Sequence, residues 1–283
     1  MGGIIMKSIL VTGGNGFLGK HLCSKLKEQG NEVYSWDKKG DYIERVDLSY
    51  KEKVEMWFTY YLPHIDEVYN LAGIPSPAKY IKDPIGTSKI STIGLFNILD
   101  TAVKIKAKVL HTSTVEVNND FDWTDERACY REGKRMAETI CHDYMRQYNL
   151  DIKVARMGNV YGPLMSKDDG RVIPVFIQKA LKNEDIVVYG SSIRTFCYVD
   201  DMIDALINLM SSVIHHPVTL TGDRDISIIG LAGLIIKLTG SKSNLIFEQG
   251  MDNDYDQKSC CSNWETSLEE GLLKTIEYFR GII

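Results

Sequence analysis

The chain has 283 residues, 44% hydrophobic and 25% charged, a composition that excludes intrinsic disorder. Its 33 basic against 38 acidic residues leave a net charge of −5, which excludes a broad electrostatic footprint for nucleic acid. The length predicts one large domain, or a core carrying a smaller lobe.

No stretch of the sequence predicts a membrane span or a leader. The longest apolar run, Ile228–Ile236, is far too short to cross a bilayer. Met1–Met6 lacks the basic start and long apolar core of a signal peptide. Cys23, Cys129, Cys141, Cys197, Cys260 and Cys261 form no CxxC pair and predict reduced thiols in a cytoplasmic protein. The histidines show no metal-ligand spacing, so no metal site is expected.

In chain order, Ser8–Thr12 is a buried-strand pattern, followed by a glycine-rich turn and a helix marked by Leu18, Leu22 and Leu26 and closed by Gly30. Further strands are predicted at 32–36, 67–71, 107–112 and 152–155, with helical patterns between them. One helix spans about 90–105, and another starts near Tyr130 with an apolar face through Met136, Ile140 and Tyr144. Alternation at this spacing predicts an α/β fold, a Rossmann-type doubly wound parallel sheet. Residues 1–161 are expected to form the nucleotide-binding domain. Residues 162–283 are expected to form mainly a smaller α/β substrate lobe, with 194–212 packing back on the first domain.

Thr12–Gly19 reads TGGNGFLG, placing Gly13, Gly16 and Gly19 between a strand and a helix. Glycines suit a tight turn that lets a pyrophosphate approach the amides at the helix N-terminus. The same loop offers Asn15, Phe17 and Leu18 as neighbours of the cofactor. Asp37 follows the next strand, 18 positions after Gly19, where a carboxylate bonds ribose hydroxyls and repels a 2′-phosphate. NAD is therefore expected over NADP, with Lys38 and Lys39 opposing that preference.

Tyr130 and Lys134 form Y-x-x-x-K on one helical face, so an ammonium sits beside a phenol and makes it a usable base. Thr114 ends the preceding strand, where its hydroxyl can bond the same substrate oxygen.

Through these motifs the sequence resembles the extended short-chain dehydrogenase/reductase (NAD-dependent epimerase/dehydratase) family of nucleotide-sugar enzymes. The carriers are TGGNGFLG, Asp47-Leu48, YNLAG (69–73), Thr114/Tyr130/Lys134, RMGNVYGP (156–163) and RTFCYVDD (194–201). The resemblance implies that Asp47 and Leu48 lie at the adenine, and that Leu71 and Ala72 line the cofactor. It also implies Tyr80, Asn159, Arg171, Tyr189 and Arg194 as substrate contacts. Within the family, SPAKY (76–80), ACYREGKRMAET (128–139), DGRV (169–172) and Arg194 look most like UDP-glucuronate decarboxylases. Those enzymes read Thr-Ser-Glu where this chain has Thr114, Val115 and Glu116. The dehydratases carry an acid at the position of Val115, so dehydration is disfavoured.

The implied chemistry is transient C4 oxidation of UDP-glucuronate and loss of carbon dioxide, giving UDP-xylose or its 4-keto pentose. Glu116 and Arg194 would manage the carboxylate and the returning proton. The alternative is a C4 oxidoreductase or epimerase acting on another nucleotide sugar. The resemblance also implies a homodimer, paired through the helices around 90–105 and 130–148.

Overall fold

The computed structural model describes residues 6–38, 45–61, 64–250 and 264–283. Lys39, Cys260 and Cys261 lie outside the described residues. The chain divides into two compact units. The first comprises 1–75, 79–156 and 203–218; the second comprises 76–78, 157–202 and 219–283.

A six-stranded sheet is formed by β1 (Ser8–Thr12), β2 (Glu32–Trp36), β3 (Glu67–Asn70), β4 (Lys108–Thr114), β5 (Ile152–Met157) and β9 (Val218–Leu220), in the order β2-β1-β3-β4-β5-β9. β1 pairs in parallel with both β2 and β3, and β3 pairs in parallel with β4. Helices α1 (Phe17–Glu28), α2 (Lys51–Tyr60), α4 (Pro84–Ser91), α5 (Ile93–Ile105) and α6 (Ala128–Tyr148) connect the strands, with α3 (Pro77–Lys82) just before α4. A parallel sheet is covered on both faces, which is why its strands are near-continuous apolar runs rather than alternating ones. Leu10, Val68, Val109 and Ile152 from four of the strands are buried in one core with Leu95, Ile98 and Leu99 of α5. Each such side chain contributes about 1.5–3 kcal/mol on burial.

The strand order reverses between β1 and β3, and a ligand crevice opens beyond the carboxyl ends of strands at such a point.

Several boundaries differ from the sequence expectations. β3 stops at Asn70 and leaves Leu71 in the following loop, while β4 runs on to Thr114 and β5 to Met157. The helix expected across 90–105 is two helices, α4 and α5, broken at Thr92. α4 has its own start: Asp83 accepts the Gly86 amide and Pro84 opens the first turn. Met136 is not on the buried face of α6 but 48% exposed. The buried stripe instead runs through Gly133, Ala137, Ile140, Cys141 and Tyr144. The reason is close helix packing, since a Cβ on Gly133 would lie 3.1 Å from Ser91 Cβ, so small residues take the contact and Met136 falls at its rim.

The second unit holds α7 (Val172–Leu181), α9 (Ile228–Thr239) and α10 (Leu268–Arg280), which pack on one another. α9 starts at Ser227, whose hydroxyl caps the Gly230 amide, and ends at Gly240 in the left-handed region. Its strands form a three-stranded sheet, β10 (Asp225–Ser227), β8 (Ile193–Tyr198) and β6 (Asn159–Tyr161), and a two-stranded sheet, β11 (Leu245–Glu248) with β7 (Ile186–Tyr189). α8 (Val199–Met210) follows β8. Among the described residues no helix is long and apolar enough to cross a membrane.

Candidate active site

The glycine loop is held from below before any ligand arrives. The Gly13 and Gly14 amides donate to Trp36 O at 2.7 and 3.2 Å, and the Gly16 amide donates to Gly13 O at 3.0 Å. Thr12 Oγ1 donates to Asn70 Oδ1 at 2.6 Å and accepts the Ala72 amide at 3.3 Å, fastening the ends of β1 and β3 together.

Each glycine serves a different need. Gly13 has φ +71°, and a Cβ there would meet Ala72 N and Leu71 C at 3.0 Å. At Gly19 it would overlap Gly13 O at 2.2 Å, so the helix packs directly on the turn. At Gly16 it would meet only Gly13 O, at 3.0 Å, leaving that face open for a pyrophosphate. Gly16 is the N-cap of α1 with no side-chain cap bond, and the first turn carries no acid of its own, which suits an N-terminus that receives an anion. Asn15 is in this loop, and Phe17 and Leu18 open the helix.

Beyond the loop, a crevice is lined by Gly13, Asp37, Lys38, Leu48, Ala72 and Gly73, among others. These residues fit a dinucleotide. An open glycine turn would suit its phosphates, a carboxylate its ribose, and apolar Leu48 and Ala72 its rings. Asp37 lies just past β2, where its backbone forms an isolated parallel β-bridge with that of Arg45. Lys38 pairs with Asp47 at 3.2 Å. Burial pushes the Asp47 carboxyl up, but the Ser49 hydroxyl and amide and the Lys38 ammonium outweigh it and hold the group below the usual carboxylate range. Leu71 lies in the loop after β3, with its amide on Thr12 O at 3.1 Å.

α6 packs on β4 and carries Tyr130 and Lys134 along the strand's end. Lys134 Nζ donates to Thr112 O at 2.6 Å, two residues before Thr114. Burial pulls the Lys134 ammonium down to about 8. A Cβ on Gly73 would lie 3.7 Å from Lys134 Nζ, which brings the lysine to the wall of the nucleotide cavity. Thr114 is the last residue of β4 and the N-cap of a 3₁₀ turn, Val115–Asn118. Its Oγ1 accepts the Glu116 amide at 3.3 Å, leaving the hydroxyl proton for another acceptor. Tyr80 stacks on Tyr130, and its phenol is raised first by burial and then by the nearby charge of Glu116. Tyr80, Glu116 and Tyr130 are thereby brought into one neighbourhood.

The remaining candidates belong to the second unit. Asn159 Nδ2 donates to Thr195 O at 3.0 Å, and Asn159 lies opposite Phe196 in the β6–β8 register. Arg194, two residues from Phe196, shares that face of the sheet and donates to Ile193 O at 2.8 Å. Arg171 is the N-cap of α7 and is paired with the Asp169 carboxylate. Tyr189 lies on the separate two-stranded sheet and is largely exposed.

Residues to which the sequence reading gave no individual role support the first-unit constellation. Asn70 Nδ2 meets His111 Nδ1 at 3.1 Å, and burial, then the Lys134 charge, hold that imidazole well below its usual range. The Arg156 guanidinium grips Glu138 at 2.6–3.1 Å, and Glu138 accepts the Ser113 hydroxyl at 2.6 Å. The signal available in the sequence was the spacing of Arg131, Arg135 and Glu138, a charged stripe beside the apolar one on α6.

The comparisons with known proteins agree with this geometry. The NAD dependent epimerase/dehydratase family model matches residues 9–219. The chain belongs to that family. It is 37% identical to UDP-glucuronic acid decarboxylase 1 of Xenopus tropicalis, over 97% of this chain and 72% of the relative. It is 35% identical to UDP-glucuronic acid decarboxylase 3 of Arabidopsis thaliana, over 96% of this chain and 89% of the relative. Among solved structures, it resembles the UDP-glucose 4-epimerase of Thermotoga maritima determined with UDP-glucose. That match has a TM-score of 0.85 and 26% identity, covering 97% of this chain and 99% of the other. The family's cofactor, NAD, is the dinucleotide that the glycine turn and Asp37 suit.

Proposed function

We propose that the protein decarboxylates UDP-glucuronate through transient oxidation at C4, yielding UDP-xylose or its 4-keto pentose. The observation that carries this reading is the 3₁₀ turn in which Thr114 caps the amide of Glu116, in a chain 37% identical to a UDP-glucuronic acid decarboxylase. NAD, when bound, supplies the hydride acceptor and donor for C4.

The protein's own groups would do the rest. Tyr130 Oη takes the C4 hydroxyl proton, and the Lys134 ammonium one helical turn away stabilises the phenolate. The Thr114 hydroxyl donates to the same oxygen. The C4 ketone is β to the C6 carboxylate, so carbon dioxide leaves with its electron pair delocalised into the carbonyl. Thr114 and the reprotonated Tyr130 stabilise that enolate by hydrogen bonds. Glu116 delivers a proton to C5, and Arg194 balances the sugar carboxylate. In the second unit Asn159, Arg171 and Tyr189 hold the nucleotide sugar.

A homodimer in the cytoplasm is part of this reading. Ile93 and Phe96 of α5, with Met136 and Tyr148 of α6, are all more than two-fifths exposed, as a helix-paired interface requires. Cys23, Cys129, Cys141 and Cys197 are free thiols, which suits a reducing compartment.

A second reading, a C4 epimerase or oxidoreductase on another nucleotide sugar, is favoured by Val115. This buried side chain offers no polar group beside Thr114. Phosphorus NMR of the protein with NAD and UDP-glucuronate, with carbon dioxide assayed in parallel, separates the two. A new UDP-pentose signal with matching gas release is expected. No turnover of UDP-glucuronate, with C4 oxidation or epimerisation of another nucleotide sugar in the same assay, would establish the second reading instead.

A further inference from the structure

We propose that Arg135 is a positioning residue, the clamp that fixes the Thr114–Glu116 turn against the catalytic helix. This rests on the reading that Thr114, Glu116 and Tyr130 act in one reaction.

Only 13 residues separate Glu116 from Tyr130, and the turn that carries Glu116 is a single 3₁₀ turn, Val115–Asn118. Such a turn has poor hydrogen-bond geometry and leaves its last carbonyls unsatisfied. Its N-terminal cap is the Thr114 side chain, the same hydroxyl proposed to meet the substrate. The Glu116 carbonyl accepts the Asn119 amide at 3.1 Å, and the carbonyls of Val117 and of the C-cap residue Asn119 are taken by one side chain. Arg135 donates Nε and Nη2 to Val117 O at 3.2 and 2.8 Å, and Nη2 to Asn119 O at 2.5 Å. Glu132 aims the guanidinium from below through Nη1, at 2.5 Å.

The chemistry of this contact is specific. A planar guanidinium supplies several donors in a fixed fork, and a cation is favoured at the carboxyl end of helical turns. Arg135 directly follows Lys134, so the backbone that carries the clamp also carries the catalytic pair. A shift of the turn relative to α6 would move Thr114 and Glu116 together away from Tyr130. Two neighbours reinforce the arrangement: Arg156 Nη1 reaches Asn118 Oδ1 at 3.3 Å, and Arg131 pairs with Asp125 at 2.9 Å. The distinctive contribution of Arg135 is its forked grip on the Val117 carbonyl of the turn itself.

The test uses the full chain and the variants Arg135→Ala and Arg135→Lys, with two readouts. The first is hydrogen exchange of peptides covering 114–121, which needs no substrate. The clamp predicts faster exchange there in Arg135→Ala, an intermediate rate in Arg135→Lys, and unchanged exchange in the glycine loop at 12–20. The second is kinetics on UDP-glucuronate. A misplacement on the order of 1 Å predicts a fall in kcat of roughly 100-fold for Arg135→Ala. KM should stay within about threefold, NAD binding should be unchanged, and Arg135→Lys should recover part of the loss. Unchanged exchange across 114–121 overturns the clamp, and so does faster exchange with kcat intact. If the wild-type protein does not turn over UDP-glucuronate, the decarboxylase reading fails, and the exchange measurement alone still decides whether Arg135 holds the turn. Arg135→Lys, which keeps the charge, guards against a collapsed Arg135→Ala protein.

Discussion

The rings of Tyr80 and Tyr130 lie face to face, 5.1 Å between centroids and 5° between planes. Tyr80 is 1% exposed, so it is packed rigidly and serves as a platform for the phenol above it. Parallel aromatic pairs contribute about 0.5–1.5 kcal/mol beyond their burial. The platform therefore restricts the tilt of Tyr130 more than it stabilises the fold. Tyr80→Phe keeps the ring and should leave kcat within about threefold of wild type, raising only KM if the hydroxyl touches the sugar. Tyr80→Ala removes the platform and opens a cavity, which for a large aromatic costs about 3–5 kcal/mol. Its kcat should fall well beyond that of Tyr80→Phe. Steady-state kinetics and thermal melts of the two variants check the contrast, and equal kcat values for both would refute the platform.

Lys134 gives a pH signature with a defined sign. Its folded value of about 8 lies below the 10.5 of an unconstrained lysine, because burial penalises the charged form. Below pH 8 both states hold the proton and the folded protein bears the full penalty. Between pH 8 and 10.5 the unfolded chain binds more protons than the folded one, so stability rises with pH. The 2.5-unit difference corresponds to about 3 kcal/mol. Lys134→Met lacks this dependence. Urea melts at pH 7 and pH 10 should show wild type gaining on Lys134→Met by that order of magnitude, with other groups cancelling between the two proteins. The same variant should lose nearly all turnover at every pH.

The sheet was legible because parallel strands buried on both faces read as short apolar runs such as SILVT, and because the helix between them carries leucines at fourfold spacing. The glycine loop was legible too, since a strand, three glycines and a helix leave few other conformations for the chain. What was hidden depends on partners that leave no mark in sequence. Arg135 binds backbone carbonyls, and any residue supplies a carbonyl. Tyr80 and Tyr130 are 50 positions apart, and nothing local to either predicts that they stack. Met136 looked like core because an apolar residue at the right spacing usually is. The close approach of Gly133 to Ser91 moved the buried stripe to one side of it.

The glycines predict two different failures from one type of substitution. Gly19→Ala places a methyl 2.2 Å from Gly13 O and 2.6 Å from Gly14 Cα, both backbone atoms that cannot yield without opening the turn. It should lower stability by more than 1 kcal/mol, within the range for overpacking, and abolish NAD binding. At Gly16 the methyl meets only Gly13 O at 3.0 Å and otherwise points where a pyrophosphate would lie. Gly16→Ala should therefore melt within a few degrees of wild type yet bind NAD at least tenfold more weakly. Calorimetric melts and isothermal titration on both variants decide it. Tight NAD binding by Gly16→Ala would mean the phosphates sit elsewhere.

Asp37 is expected to set the choice between NAD and NADP by charge. Asp37 and Lys38 line the cavity, and the Lys38 ammonium is drawn to Asp47 at 3.2 Å. A 2′-phosphate would meet the Asp37 carboxylate as a like charge. Asp37→Asn removes that repulsion and the acceptor for the ribose hydroxyls. A lost hydrogen bond to a charged group is worth about 1.5–3 kcal/mol, so NAD affinity should fall by roughly 10- to 100-fold. NADP affinity should hold or rise, narrowing the preference. Adding Asp47→Asn frees the Lys38 ammonium from its pairing, and NADP should then bind better than in the single variant. Titrations of both cofactors against the three proteins test the order. An unchanged NAD-to-NADP ratio in Asp37→Asn would show that the ribose is held by other groups.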